Sequence, residues 1–497
     1  MTYLKDYALV NALRCGMTPF TPTSFPATVH PMTMPVAIPL WLLILMVLFA
    51  AVTFASHFLF PSVRWFFRRR AERVVARVNA RLQKPIEPFK LARRYDTIQR
   101  LVYDPEVIQA INDYAQATGI REDVAFEKAR HYAREIVPSF SATAYFSFGM
   151  RAAKWLSRFL YRLRVGQFDR AEYEAIDPDA TVIFVMNHRS NMDYVLVTYL
   201  VSRATSLSYA VGEWARVWPL SAVIKMMGGY FIRRKSRRQE ESGDLYRRVL
   251  ARYVQMATEG GVTQAVFPEG GLSLDGNLAR PRLGILSYIT DGFKPDGRDV
   301  VFVPVALNYD RVLEDRFLIK AHATGIRRFR PPLFTVLGGV VGYLWARLTR
   351  KMTVFGTASV SFGAPLSLHD FADRHDGDTK ALGEELMGRI SAVIPVVPVP
   401  LVCRALLNGA TTQAEIVAQI AADLDAMPVG LRTPRRDPAQ LAQDGVRILQ
   451  RRGLIDRGDI LRVTEGEADV VTYYANTIAH HFKDPVILPQ DAATQKT

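Results

Sequence analysis

The sequence predicts an α/β domain with a mostly buried mixed sheet and flanking helices. A transmembrane helix and a helical segment precede this domain, and a mostly helical C-terminal region follows it. Short apolar runs rich in β-formers lie at 181–186, 229–234, 262–267 and 300–307, and long segments of helical character separate them. Strands that alternate with helices in this way are typical of α/β domains. Residues 36–60 carry no charged side chain.

The pattern divides the chain into five segments. Residues 1–35 are rich in Pro and Thr and are expected to be irregular, and residues 70–135 are rich in Ala, Arg and Glu and poor in Gly. The Pro-rich run 394–401 marks a boundary. The predicted segments are an irregular segment at 1–35, a transmembrane helix at 36–60, a helical membrane-proximal segment at 61–165, the α/β domain at 166–395 and a helical region at 396–497.

The uncharged stretch 36–60 is long enough to span a bilayer as a helix, which needs roughly 20 apolar residues. A signal peptide and a buried core helix are the alternatives, but a signal peptide has a shorter apolar run near a basic start. Basic residues follow the stretch at Arg64, Arg68, Arg69, Arg70 and Arg73 and precede it at Lys5 and Arg14. The positive-inside rule then predicts a single-pass protein of the inner (cytoplasmic) membrane with its main domain in the cytoplasm.

The chain is basic, with 63 Lys and Arg against 48 Asp and Glu and a net charge of +15. This excess favours an anionic partner: a nucleic acid, a phospholipid surface or a phosphorylated substrate. The two cysteines, Cys15 and Cys403, do not favour a disulfide framework and lack the spacing of zinc ligands.

Two further apolar segments left alternatives open. In 145–166, basic residues alternate with aromatic and aliphatic ones at helical spacing, which suits either a helix on an anionic bilayer or an ordinary docked amphipathic helix. Residues 331–348 are apolar but too short to span comfortably, which favours a re-entrant, interfacial or core segment.

Two titratable residues, His188 and Asp193, follow the apolar strand 181–186 directly. Five residues apart on a continuous helix, their side chains would point about 140° apart. Ser190 is suited to begin a helix after a turn, which would place Asp193 in capping-box position and return it to the imidazole. The pair would then act as a general base with an orienting carboxylate, although an isolated His–Asp pair is more often a structural hydrogen bond.

The ends of two other predicted strands also carry polar or glycine residues. Arg233 and Arg234 follow one strand and are suited to hold a phosphate, although they could equally pair with surface carboxylates. Glu269, Gly270 and Ser273 follow the other strand, where glycine allows backbone to approach a ligand and the carboxylate could accept a substrate hydroxyl.

These blocks resemble the glycerolipid acyltransferases with an H-x-x-x-x-D signature, and in particular the branch that acylates glycerol-3-phosphate or dihydroxyacetone phosphate. The similar segments are "HRSNMDYVLV" (188–197), "GGYFIRR" (228–234), "FPEGGLSLDGNLARPRLGILS" (267–287), "VFVPVALNYDRV" (301–312) and "TYYANTIAHHF" (472–482). One position departs from the pattern: Leu272 stands where an arginine is usual.

The resemblance implies the glycerolipid acyltransferase fold and the first acylation of phospholipid biosynthesis. An acyl chain would pass from acyl-CoA or acyl carrier protein to the sn-1 hydroxyl of glycerol-3-phosphate, with no metal or redox cofactor. His188 and Asp193 would be catalytic. The implied substrate-binding residues are Arg233, Arg234, Glu269, Gly270, Ser273, Arg282 and Pro304. A phospholipid membrane would receive the product, and no nucleic acid would bind.

Three alternatives remain. The acceptor could be dihydroxyacetone phosphate or lysophosphatidic acid. A metal-dependent hydrolase could use His188, Asp193 and Glu269 as ligands. A basic membrane scaffold without enzymatic activity could bind nucleic acid through its arginines.

Overall fold

The structure, a computed structural model, describes residues 39–202, 204–212, 215–233, 240–325, 355–428, 431 and 437–482. The chain forms two compact units, Met1–Arg69 and Arg70–Thr497. The predicted irregular segment 1–35, the apolar segment 331–348 and the phosphate-binding candidate Arg234 lie outside the described residues.

The prediction of a transmembrane helix, and with it of a single-pass membrane protein, is wrong. Helix α1 (Leu40–Asn79) covers most of the predicted span. However, within the described part of the chain no helix is both long and apolar enough to cross a membrane.

Helices α2 to α6 precede most of the sheet. Their bounds are α2 Pro88–Leu91, α3 Arg94–Val102, α4 Pro105–Thr118, α5 Glu122–Ile136 and α6 Met150–Leu160, and a π-helical turn at Ala144–Gly149 leads into α6. Asp104 caps α4 by accepting a hydrogen bond from the Glu106 N–H. Gly119 ends α4 with φ of 67°, a conformation that glycine adopts without strain.

An eight-stranded mixed sheet forms the centre of the larger unit, which confirms the α/β prediction. Its strands are β1 Arg162–Val165, β2 Thr181–Met186, β3 Ser208–Gly212, β4 Gly229–Ile232, β5 Gln264–Val266, β6 Val300–Tyr309, β7 Thr357–Phe362 and β8 Leu366–Ser367. Their order is β1-β7-β6-β2-β5-β3-β4, and β8 also pairs with β6. Strands β6, β2, β5, β3 and β4 run parallel, whereas β7 and β8 lie antiparallel to β6.

Both faces of the sheet are buried. Along β2, Phe184 and Met186 pack into one core and Ile183 and Val185 into the other. This alternation explains why the strands are continuous apolar runs, since a two-sided sheet has no polar face.

The remaining helices cover the two faces and build the C-terminal region. They are α7 Arg170–Glu174, α8 Met192–Val201, α9 Leu220–Met226, α10 Glu240–Glu259, α11 Gly284–Asp291, α12 Asp315–Thr324, α13 Leu368–His375, α14 Thr379–Ala392, α15 Pro398–Leu407, α16 Gln413–Ala426, α17 Pro438–Arg451 and α18 Ala468–Asn476. A short 3-10 turn, Ala479–His481, follows α18.

The buried Asp310 joins the sheet to the C-terminal helices. Its two carboxylate oxygens accept the Thr357 N–H at 2.6 Å and the Val399 N–H at 2.9 Å, so that one residue ties β7 to the first turn of α15. A carboxylate at a helix N-terminus is favoured by the helix dipole. Burial nevertheless raises the pKa of Asp310 to about 6.

This raised pKa predicts a specific dependence of stability on pH. Between pH about 4 and 6 the folded state holds the Asp310 proton and the unfolded state does not. The stabilisation that the bound Asp310 proton gives the folded state is therefore complete below the pKa of Asp310 in the unfolded state. It is lost as the pH rises through the pKa of Asp310 in the folded state. We expect the free energy of unfolding of the wild type to fall relative to that of Asp310→Asn by up to about 3 kcal/mol over this range. Urea unfolding at several pH values measures this difference.

The exposed Asp96 provides the control, because Asp96→Asn removes the same charge at the surface. If the Asp310→Asn and Asp96→Asn proteins show the same pH dependence, the buried carboxyl does not titrate as proposed here.

Candidate active site

Two adjacent parallel strands bring the candidate residues together. β2 ends at Met186 and β5 at Val266, and the two strands pair directly. His188 follows the first strand and Glu269 the second, so both lie at the carboxyl edge of the sheet, where open α/β sheets bind ligands. The buried Asn187 amide fixes the start of the loop, because it donates to the Leu307 carbonyl at 3.0 Å and accepts the Leu307 N–H at 2.8 Å.

His188 and Asp193 form a hydrogen bond between Nδ1 and Oδ2 at 2.9 Å. Asp193 is fully buried, and 7% of His188 is exposed. A carboxylate can only accept, so Nδ1 carries the hydrogen and Nε2 presents a lone pair. No described residue hydrogen-bonds Nε2.

Four donors surround the Asp193 carboxylate. Oδ2 accepts the His188 ring together with the backbone N–H groups of Arg189 at 2.7 Å and Ser190 at 2.9 Å. Oδ1 accepts the Tyr309 hydroxyl at 2.5 Å. Burial and the neighbouring Asp193 charge raise the pKa of the Tyr309 phenol well above its ordinary value, so this group remains a donor. The arrangement holds a buried charge with its hydrogen bonds satisfied.

The turn that returns Asp193 to the imidazole is held by its own side chains. Ser190 Oγ accepts the Met192 N–H at 3.1 Å at the start of α8. Glu314 lies behind the turn, where it accepts the Ser190 hydroxyl at 2.8 Å and the Asn191 side-chain amide at 2.9 Å. Burial raises the pKa of Glu314, and its hydrogen bonds to the turn oppose that shift.

Aromatic rings enclose the imidazole. The Phe267 ring lies 4.1 Å from the His188 ring, centroid to centroid, and the Tyr194 ring lies 5.6 Å away in an edge-on arrangement. These rings and the hydrogen bond to Asp193 restrict rotation of the imidazole, so that Nε2 has a defined direction.

Glu269 closes the loop that follows β5. Its two oxygens accept the His188 N–H at 2.8 Å and the Ala279 N–H at 3.0 Å. Burial raises the pKa of Glu269, and the nearby Arg189 charge opposes this shift. Ser273 joins the same structure: its N–H donates to the His188 carbonyl at 2.9 Å and its hydroxyl to the Asn277 carbonyl at 2.8 Å.

The C-terminal region contacts this loop directly. The Asn476 side chain donates to the Asp275 carbonyl at 2.9 Å. A Cβ at Gly276 would collide with the Tyr473 backbone, so only glycine fits against α18 there. The wholly buried Arg189 donates from Nη1 to the Gly276 and Asn277 carbonyls. Its Nε and Nη2 have no hydrogen-bond partner among the described residues.

The predicted phosphate ligands lie in different surroundings. Arg233 follows β4, three strands from β2 and therefore about 14 Å away by strand spacing. Its guanidinium pairs with both oxygens of Glu135, at 3.0 and 2.5 Å. Arg282 is exposed, and its side chain packs on Gly270, where a Cβ would contact Arg282 Cδ. Gly270 has φ of 67° and lies directly after Glu269.

Pro304 lies inside the sheet, opposite Val185 of β2. The Pro304 carbonyl accepts the Gly363 N–H. Pro304 lies between the residues of β6 that pair with β8 and those that pair with β7. A proline, which lacks an N–H, is tolerated at such a break in the ladder. Among the described residues, no group of three or more His, Cys, Asp and Glu side chains could hold a metal ion.

Three residues of the site were not predicted from the sequence: Tyr309, Glu314 and Arg189. Tyr309 reaches Asp193 because β6 extends four residues beyond Val305, the partner of the last residue of β2. That extension depends on strand register, for which the sequence holds no local signal. Arg189 stands beside the catalytic candidate in the motif, but its burial depends on the loop 273–279.

Two family models match the chain. The acyltransferase family matches residues 167–308, and the glycerol-3-phosphate acyltransferase C-terminal region matches residues 337–489. The first match covers the strands and loops that carry His188, Asp193 and Glu269, and the second covers the described C-terminal helices.

Similar proteins are bacterial glycerol-3-phosphate acyltransferases. That of Pseudomonas aeruginosa (strain UCBPP-PA14) is 28% identical over 430 residues, which cover 80% of this chain and 50% of the relative. That of Pseudomonas entomophila (strain L48) is 29% identical over 453 residues, covering 84% and 52%. The chain thus spans about half the length of the curated relatives it matches.

Among solved structures, the 1-acyl-sn-glycerophosphate acyltransferase of Thermotoga maritima matches with a TM-score of 0.27 and 19% identity, covering 57% of this chain and 95% of that one. A likeness of this size carries no argument about the fold. The sequence matches, by contrast, cover both the candidate site and the C-terminal region in the same order. These matches confirm the resemblance of the chain to the glycerol-3-phosphate acyltransferases.

Proposed function

We propose that the protein transfers an acyl chain from an acyl thioester to the sn-1 hydroxyl of glycerol-3-phosphate. The products are lysophosphatidic acid and a free thiol. The observation that carries this proposal is the His188–Asp193 pair, in which a buried carboxylate holds one ring nitrogen and leaves the other available. The resemblance to the glycerol-3-phosphate acyltransferases supports acyl transfer as the class of reaction. The proposed donor is acyl-CoA or acyl carrier protein, and the product would enter a phospholipid membrane.

In the proposed mechanism, His188 Nε2 removes the proton of the C1 hydroxyl while its oxygen attacks the thioester carbonyl carbon. The tetrahedral intermediate collapses, the C–S bond breaks, and the imidazolium returns its proton to the leaving sulfur. The Asp193 carboxylate fixes the tautomer and stabilises the imidazolium. A thioester is already activated, so these residues account for the proton transfers without a metal.

The phosphate ligand that we favour is Arg282, because it is exposed and lies on Gly270, next to the loop bound to His188. Arg233 can contribute only if its pair with Glu135 opens, and the assignment of Arg234 stays a prediction. Glu269 and Ser273 already bind the loop and the His188 backbone, which supports a role in shaping the glycerol pocket. Gly270 and Pro304 would contribute to the substrate pocket through the shape of their backbone.

The first prediction concerns the base. We expect His188→Ala to lower kcat by about 10² to 10⁴, because a positioned base contributes that much. The assay uses labelled glycerol-3-phosphate with palmitoyl-CoA, and again with acyl carrier protein as donor.

His131→Ala is the matched control, since His131 is exposed on α5. Undiminished product from the His188 variant at equal expression would make the pair structural. Absence of product from the wild type with either donor would refute glycerol-3-phosphate as acceptor and direct the assay to dihydroxyacetone phosphate and lysophosphatidic acid.

The second prediction concerns Tyr309, a positioning residue that does not contact the substrate. We expect Tyr309→Phe to lower kcat about tenfold with the KM for glycerol-3-phosphate unchanged, because Asp193 loses a donor to its buried charge.

Tyr161→Phe separates this effect from lost stability. Tyr161 is also buried and donates to the Arg311 carbonyl at 2.9 Å, and its ring packs on Tyr309. An equal loss of kcat in both variants would show that the phenol supports the fold and not Asp193.

The third prediction tests the phosphate ligand. We expect Arg282→Ala to raise the KM for glycerol-3-phosphate about 10- to 100-fold, as for the loss of a charged hydrogen bond. Steady-state kinetics at saturating donor measures this change. Arg280→Ala is the comparison, because Arg280 is also exposed but lies two residues earlier in the loop. The assignment fails if Arg280→Ala has the larger effect.

A further inference from the structure

An apolar surface, here called the aromatic patch, lies on two neighbouring elements of the larger unit. The π-helical turn and α6 contribute Phe148 and Trp155, which are 68% and 57% exposed. The segment that leads into α9 contributes Trp218, which is 81% exposed. Further exposed apolar residues of this segment and of α9 are Val217, Leu220 and Val223.

The two elements are in contact. The Ser141 N–H, just before the π-helical turn, donates to the Met226 carbonyl at the end of α9 at 3.1 Å. Gly149 packs against the Met227 side chain so closely that a Cβ would collide with it. Phe148 and Trp155 are seven residues apart, which places them on one side of the helix.

Within the two elements that carry the aromatic patch, every charged residue is basic. Arg151, Lys154 and Arg158 are exposed on α6, and Lys225 lies on α9. Residues 144–160 and 215–229 contain no Asp or Glu. An anionic surface is therefore complementary to both elements at once.

The burial pattern of α6 bears on the two interpretations of 145–166. A merely docked amphipathic helix would bury its aromatic side and expose its charges. Here α6 packs Leu156, Phe159 and Leu160 against the core, as a docked helix does, but it exposes Trp155 beside the cations. Large exposed aromatic side chains on two neighbouring elements indicate an interaction site, and tryptophan favours the interface of a membrane with water.

We infer that the aromatic patch docks on an anionic phospholipid bilayer, with Trp155 and Trp218 at the level of the headgroups and the α6 cations on lipid phosphates. This attachment is peripheral and lies near the site, because α6 packs on α8, the helix whose first turn carries Asp193. It therefore places the proposed chemistry beside the phase that receives the lipid product.

The test uses the full chain and unilamellar vesicles of phosphatidylcholine alone or mixed with phosphatidylglycerol, each with brominated acyl chains that quench nearby tryptophan. We compare the wild type with Trp218→Phe and Trp155→Phe. The difference in emission reports each tryptophan separately, even if another part of the chain also binds lipid. We expect the Trp218 component to shift to shorter wavelength and to be quenched on vesicles that contain phosphatidylglycerol. An unshifted and unquenched component would overturn the proposal.

The charges are tested by partition to the same vesicles. We expect Arg151→Gln and Lys154→Gln each to lower binding to anionic vesicles about fivefold, which corresponds to about 1 kcal/mol per basic residue near the surface. Arg457→Gln removes a charge that is also exposed, from the C-terminal region, and is the control. An equal loss in the control would show an effect of net charge and would contradict the patch.

A docking site for an acidic protein is the competing outcome. It would appear as protection of Trp218 from iodide by an acidic carrier protein with no quenching by brominated vesicles, and this result would refute the lipid assignment. Lipid binding is measured without turnover. A failure of the proposed acyl transfer would therefore leave this result unaffected, and the reverse also holds.

Discussion

The buried Asp193 carboxylate is the constraint on which the candidate site depends. A charge removed from water is costly unless donors replace the water. Its four donors come from the His188 ring, two backbone groups of the turn and Tyr309 of the neighbouring strand. No single segment could supply them. The loop must turn sharply after β2, and β6 must extend beyond β2, before the carboxylate is satisfied. The same geometry that satisfies Asp193 also orients the imidazole.

The C-terminal helices are part of this arrangement. They contact it at Asn476, which holds the loop 273–279, and at Asp310, which connects β7 to α15. A third contact lies beside Glu314, where Asp315 binds both Arg452 and the Tyr474 hydroxyl, the latter at 2.6 Å. Because these bonds reach the elements that hold His188, the C-terminal region supports the site, and damage to it should be felt there.

Helix α8 connects the two functional surfaces that we propose. Its first turn carries Asp193, and its side packs against α6, whose outer side bears Trp155 and the cations. The basic residues of the chain therefore differ in their surroundings. Arg233 pairs with Glu135, which also pairs with Arg216, whereas the charges of α6 and Arg282 are exposed.

The sequence by itself determined the α/β class, because a sheet buried on both faces requires continuous apolar strands. Its motifs, in a fixed order, also indicated the resemblance to the glycerol-3-phosphate acyltransferases. It also placed His188 and Asp193 at a strand end, since the change from apolar run to polar loop is local. It was wrong about a membrane-spanning helix, because among the described residues no helix is long and apolar enough to cross a membrane. Only the tertiary structure decided that Tyr309 and Glu314 join the site, that Arg233 pairs with Glu135, and that Trp155 of α6 is exposed. Each of these depends on strand register or on contacts between residues far apart in the chain, and local patterns carry no information about such contacts.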